Sequence, residues 1–184
     1  IVTSPPYASN AIDYMRAHKF SLVWIGYSFE EIERRRKEYI GGEATQDFGF
    51  VPLPEKTKAV VSVISSLDRK KGRVLHRYYS EMTDVFREMY RVLKPGGTSI
   101  VVVGNSIMRG VSTETHECLA EIARETGFLV PKIGIRNLDR NRRMMPAGST
   151  LNLNSQIQQR MHVEYAIGLY KPDSITATTK FSRS

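Results

Sequence analysis

Apolar residues recur at three- and four-residue steps through RVLHRYYSEMTDVFREMYRVL, where Leu75, Tyr79, Met82, Phe86, Met89 and Leu93 fall on one stripe. That spacing predicts a long helix with one buried face. Lys94-Pro95-Gly96-Gly97 ends it, because proline cannot continue a helix and glycine takes the positive φ that turns the chain. The run TSIVVVGNS at 98–106 is continuously apolar and β-branched, which predicts a central strand covered on both faces. Residues 114–126, ETHECLAEIARET, predict another helix closed by Gly127, followed by strands over Phe128–Asn137 and Val163–Tyr170. Upstream, Ile12, Met15, Phe20, Val23 and Trp24, then Phe29 and Ile32, space out as two short helices between about 10 and 39. From Gly41 to about Lys58 the pattern dissolves into Gly, Pro and polar residues, a length that predicts either a functional or mobile loop or a disordered insert.

Alternation of strand and helix, with two strands late in the chain, predicts half of an α/β sheet. Ile1-Val2 reads as the tail of a buried strand, so the sheet is expected to continue upstream of it. The expected organisation is one unit over 1–172, with a helical and loop insertion at about 8–72 and a flexible polar tail over 173–184.

The chain has 184 residues and 41% hydrophobic content, enough for one domain with a core and too little for two. It carries no apolar run of membrane-spanning length and no charged-then-apolar leader, which points to a cytoplasmic setting and no membrane partner. One cysteine, Cys118, and the scattered His18, His76, His116 and His162 lack metal-ligand spacing. No metal is expected. A net charge of +8 suits a polyanionic partner, nucleic acid above all, or a simply solvated basic surface. The charge gathers at Arg34, Arg35, Arg36 and Lys37, and again at Arg136, Arg140, Arg142 and Arg143.

One tetrapeptide stands apart from these patterns. Ser4-Pro5-Pro6-Tyr7 follows the first strand, and its two prolines make a stiff segment whose carbonyls remain free to accept hydrogen bonds. A plain turn capping the strand is the simpler reading. Against it, the carboxyl ends of strands are where open α/β sheets hold ligands.

TSPPY resembles the catalytic motif of the amino-group DNA methyltransferases, the N-4/N-6 DNA methylases, in which Asp, Asn or Ser precedes Pro-Pro and an aromatic residue follows. FREMYRVLKPGGTSIVVVGNS is similar to the helix, turn and strand that come next in that family, and YASNAIDYMRAHKFSLVWIG is similar to the segment after the motif in some bacterial and archaeal members. The resemblance thins at Gly41–Lys70 and after Pro172. It implies the catalytic half of a Rossmann-like class I methyltransferase sheet with helices on both faces and final strands antiparallel. It further implies S-adenosylmethionine as methyl donor, double-stranded DNA as substrate, a prokaryotic cytoplasmic enzyme and a restriction endonuclease as a further partner.

Such an enzyme would use Ser4, Pro5, Pro6 and Tyr7 on the exocyclic amine of a flipped base. That amine is flat and poorly nucleophilic. Acceptors at Ser4 Oγ and the Pro5 carbonyl would pyramidalise it, and the Tyr7 ring would stack on the extruded base. Serine in the first position is commoner in members that act on cytosine than on adenine. Arg34–Lys37 and Arg140, Arg142 and Arg143 become candidates for phosphate contacts.

One departure is clear. The family's Phe-x-Gly-x-Gly cofactor loop and its acidic ribose-holding residue do not occur, and Gly104-Asn105-Ser106 reads as a strand end before a cofactor contact. The cofactor-binding residues are therefore expected outside this sequence, in a missing half upstream or in a companion chain. A DNA-binding subunit or inactive remnant is the alternative. A protein glutamine methyltransferase is disfavoured, since those resemble the motif with Asn at its head.

Overall fold

The computed structural model describes residues 1–8, 14–36, 38–42, 45–138 and 163–173, with the side chains of 14–17 and 36 left out of that description. The tail after 173 therefore lies outside the described residues, as does the segment 139–162. The elements run β1 (Val2–Thr3), α1 (Tyr14–Trp24), α2 (Phe29–Arg36), α3 (Glu55–Leu67), α4 (Arg69–Val92), β2 (Thr98–Gly104), β3 (Ile107–Met108), β4 (Val111–Ser112), α5 (Thr115–Thr126), β5 (Leu129–Asn137) and β6 (Val163–Tyr170). None of these helices is long and apolar enough to cross a membrane.

The main sheet has the order β1-β2-β6-β5. β1 pairs in parallel with β2, setting Val2 opposite Ile100 and Thr3 opposite Val101. The helices supply the long crossover that a parallel pair needs. β6 runs antiparallel to both β2 and β5, so the late strands close the sheet as the resemblance implied. β3 and β4 form a separate small hairpin.

The stripe on α4 is the centre of the core. Leu75, Tyr79, Met82 and Phe86 are fully buried, with Val101 and Val103 of β2, Leu119 and Ile122 of α5, and Ile167 and Leu169 of β6. Period two explains which strand residues join: Val101 and Val103 point to one face, Ile100 to the other. Ile100 is 42% exposed and its neighbour Val2 77% exposed. β2 is thus central in strand order but covered on one face in these residues, not on both as its continuous apolar run predicts. Such a run reports sheet propensity on both faces; it does not report what covers them.

The segment after Gly41 also departs from expectation, because it is tied down and ends in a helix. Arg77 and Glu81 form a buried pair on α4 at 2.8 Å. Glu81 Oε2 accepts from Gly41 N at 2.7 Å, while the Arg77 guanidinium lies 4.9 Å from the Phe48 ring centre. Further along, Ser80 Oγ accepts from Val51 N, and the His76 ring nitrogen lies 2.9 Å from Val51 O. Helix α3 then starts at Glu55, inside the stretch whose polar residues suggested a loop. Its exposed face mixes Lys56, Lys58 and Ser62 with the open Val63 and Leu67, and Thr57, Val61 and Ile64 face the core.

The start of α3 is capped from outside. Glu121 of α5 accepts from Lys56 N at 3.0 Å, Thr57 N at 2.8 Å and Thr57 Oγ1 at 2.6 Å, satisfying donors that a helix start leaves open. Burial pushes the Glu121 carboxyl up, but those hydrogen bonds and Lys56 outweigh it and hold it below the ordinary range. Asp68 alone separates α3 from α4 and caps the latter, accepting from Lys71 N at 3.0 Å. At the C-terminal end of α5, Gly127 takes φ 111°, the left-handed turn that glycine makes without strain.

Candidate active site

Pairing of β1 with β2 stops at Thr3, where the two prolines remove the next donors and the chain leaves the sheet. Ser4 is exposed, Pro5, Pro6 and Tyr7 are half-buried, and Ala8 is fully buried. The tetrapeptide is therefore held at both ends, by β1 before it and by Ala8 in the core after it.

Tyr7 has a second anchor. Its phenol donates to Glu164 Oε1 at 3.1 Å. Glu164 stands opposite Gly104 of β2 and Arg136 of β5, and its other oxygen, Oε2, accepts from Arg136 Nη2. The carboxylate is largely shielded while the arginine is mostly exposed. Beneath Tyr7, burial pushes the Tyr78 phenol far above its ordinary range, with the Tyr7 phenol adding to the effect.

The motif, the end of β2, the start of β6 and the end of β5 thus meet along one edge of the sheet. Sequence reasoning singled out the motif, counted Arg136 only in a basic cluster and gave it no site role, and missed Glu164. The signal available was a single carboxylate in the otherwise uncharged strand VEYAIGLY.

Gly104-Asn105-Ser106 serves the protein itself. Asn105 Oδ1 accepts from Thr115 N at 3.1 Å and from Thr113 Oγ1 at 3.2 Å, and its Nδ2 donates to Ser112 Oγ at 2.8 Å. These bonds fasten the end of β2 to the β4–α5 turn. One residue beyond Glu164, on the helix-covered face, Tyr165 stacks against His116 with ring centres 3.6 Å apart. Burial lowers the His116 pKa, Glu117 opposing and Lys56 reinforcing it. The ring is a half-buried stacking partner. Cys118 lies in the core, its thiol pushed up by the same cause.

The two basic groups are placed unevenly. Arg34 and Arg35 lie exposed on α2, where the Arg35 guanidinium sits 4.9 Å from the Tyr27 ring centre. Glu30, Glu31 and Glu33 share that helix, so its charge is mixed. The Arg36 side chain, Lys37, Arg140, Arg142 and Arg143 lie outside the described residues.

No family profile matches the chain. Similarity to individual proteins is clear: the chain is 28% identical over a 151-position alignment that covers 72% of its length to the Type II methyltransferase M.AvaI of Nostoc sp. (strain PCC 7120 / SAG 25.82 / UTEX 2576). It is 23% identical over a 135-position alignment that covers 68% of its length to the Type II methyltransferase M.MvaI of Kocuria varians. The chain is related to DNA methyltransferases. It spans only 31% and 30% of the lengths of those two relatives. Among solved structures it has a partial likeness, TM-score 0.40 with 23% identity over 54% of this chain and 39% of the other, to a candidate DNA modification methylase from Thermus thermophilus complexed with S-adenosyl-L-methionine.

Proposed function

We propose that this chain is the catalytic, target-base half of a DNA methyltransferase that moves a methyl group from S-adenosylmethionine to an exocyclic amine, on cytosine in preference to adenine. The observation that carries the reading is the Ser4–Tyr7 segment itself. It leaves the carboxyl end of a strand in a parallel pair, stiffened by two prolines, with Ser4 open to solvent and the far end of Tyr7 tethered.

Its chemistry belongs to the chain's own groups. The two N–H bonds of the target amine donate to Ser4 Oγ and to the Pro5 carbonyl, which bends the nitrogen out of its plane and localises its lone pair. The Tyr7 ring offers a face on which a base taken out of the duplex stacks. S-adenosylmethionine, when bound, supplies an electrophilic methyl group. The described residues do not fit it as a full site: Asn105 of the Gly104–Ser106 turn is spent on internal hydrogen bonds, and no glycine loop follows β1. No residue here is assigned to hold it, and the other wall of its site is expected from the rest of the enzyme. Arg34 and Arg35 are candidates for DNA phosphates, together with Arg36, Lys37, Arg140, Arg142 and Arg143.

In the full-length enzyme, Ser4→Ala and Tyr7→Ala are each expected to slow radiolabelled methyl transfer by about a hundredfold or more, while a gel shift reports DNA binding changed far less. Wild-type turnover in the Ser4 variant overturns the role given to that hydroxyl. DNA binding without any methyl transfer by the wild-type enzyme instead favours a DNA-binding subunit or remnant.

A further inference from the structure

We propose that Glu164 is a positioning residue for Tyr7, holding its ring in the plane that receives the target base, and that Arg136 in turn fixes Glu164. The inference rests on the methyl-transfer reading above and concerns a residue outside the tetrapeptide, 157 positions away in sequence.

A half-buried tyrosine in the loop after a strand has two side-chain torsions to fix before it can act as a stacking platform. The prolines before it restrain its backbone. They do nothing for the ring. The ring is restrained at its other end by the phenol hydrogen bond to Glu164 Oε1, which engages the hydroxyl rather than the π-face on which a base would stack. Glu164 is a suitable anchor because its backbone sits in a sheet between β2 and β5 and its side chain is largely shielded. Both of its oxygens are used, one by Tyr7 and one by Arg136. A carboxylate acceptor also makes the stronger, charge-assisted kind of hydrogen bond. The ring reaches the base already oriented, so less motion has to be frozen when the base arrives.

The test uses Tyr7→Phe, Glu164→Ala, Glu164→Gln and the Tyr7→Phe/Glu164→Ala double variant of the full-length enzyme. Tyr7→Phe keeps the ring and removes the tether, so kcat is expected to fall roughly ten- to a hundredfold with KM for DNA little changed. Glu164→Ala is expected to match it, and the double variant to be no worse than either single one. Glu164→Gln still offers a carbonyl to the phenol and is expected to recover most of the activity. Wild-type kcat in Glu164→Ala, or losses that multiply in the double variant, overturns the proposal.

If the wild-type enzyme transfers no methyl group, the functional reading fails, and the tether is decided separately. Urea unfolding of this chain with the same four variants then reports the pair directly. Destabilisation that fails to add between Tyr7→Phe and Glu164→Ala supports the contact, and simple addition overturns it.

Discussion

The α3–α4–α5 body and the α1–α2 pair treat their apolar residues in opposite ways. In the body, Tyr79, Met82 and Phe86 of α4 are fully buried against Val101, Leu119 and Ile167. In α1, α2 and the turn between them, Phe20 is 87% exposed, Trp24 91%, and Ile25 and Phe29 are also open, with Ile32 the buried exception among the described side chains. Local contacts shape α2 instead. Ser28 and Glu31 bond reciprocally, Ser28 N to Glu31 Oε2 at 3.0 Å and Glu31 N to Ser28 Oγ at 3.2 Å, which is a capping box. Lys19 lies 5.1 Å from the Phe29 ring centre. The same helical spacing of apolar residues therefore means burial in one region and display in the other. Periodicity identifies a helix, and only a partner identifies its face.

The sharpest way to break this comparison is a pair of truncations. Phe86→Ala removes a fully buried ring and is expected to destabilise the chain by about 3–5 kcal/mol, whereas Trp24→Ala, larger in volume but exposed, is expected to stay within about 0.5 kcal/mol. Urea unfolding midpoints at fixed slope decide between them. A Trp24 variant that loses as much as Phe86→Ala shows that α1 is packed in solution and ends the contrast.

A smaller effect sharpens it inside the body. A side chain at Gly72 would bring its Cβ within 2.7 Å of Ser65 Cα, a backbone atom that cannot swing away, because α3 and α4 approach closely there. Gly72→Ala is expected to cost about 1–3 kcal/mol in the same assay. Gly49, in the segment laid along α4, has nothing within 4 Å of such a Cβ and no positive φ, so Gly49→Ala is expected to be near neutral. Equal losses at both would mean that the α3–α4 packing is looser than the geometry implies.

These contrasts also explain what could be read from the residues beforehand. The α4 stripe, the Pro-Gly-Gly stop, α5 with its Gly127 and the β6 span were legible because each is a local pattern with a single structural solution. The helix α3 was not, since its start depends on Glu121, 65 and 64 residues from the Lys56 and Thr57 amides it caps, and no local pattern announces a cap from another helix. Glu164 was hidden for the same reason, being defined by Tyr7 in the loop after β1 and by Arg136 on β5. The Ile100 face, open among the described residues, was expected to be covered because β-branched residues favour a strand whether or not something lies on them. The motif at Ser4–Tyr7 was legible as chemistry, while its tether was legible only in three dimensions.

The smallest expected effect tests that long-range cap through its pH dependence. The Glu121 carboxyl is held below its ordinary range in the folded chain, burial being outweighed by bonds from Thr57 and Lys56. The folded state thus binds this proton less tightly than the unfolded chain does, so ionised Glu121 adds stability above the ordinary carboxylate range, and that stability is lost as pH falls through the depressed folded value. Glu121→Gln keeps the volume and one acceptor but removes the charge facing the start of α3. It is expected to cost about 1 kcal/mol at neutral pH. The gap between the two proteins is expected to shrink as pH falls below the ordinary carboxylate range towards the depressed folded value, through which the wild-type carboxyl also becomes neutral. Other lowered carboxylates, such as Asp68, are present in both proteins, so the difference isolates Glu121. Urea unfolding of both at neutral pH, near pH 5 and near pH 3.5 measures it, and a gap that stays constant across that series would mean that the cap acts through shape alone.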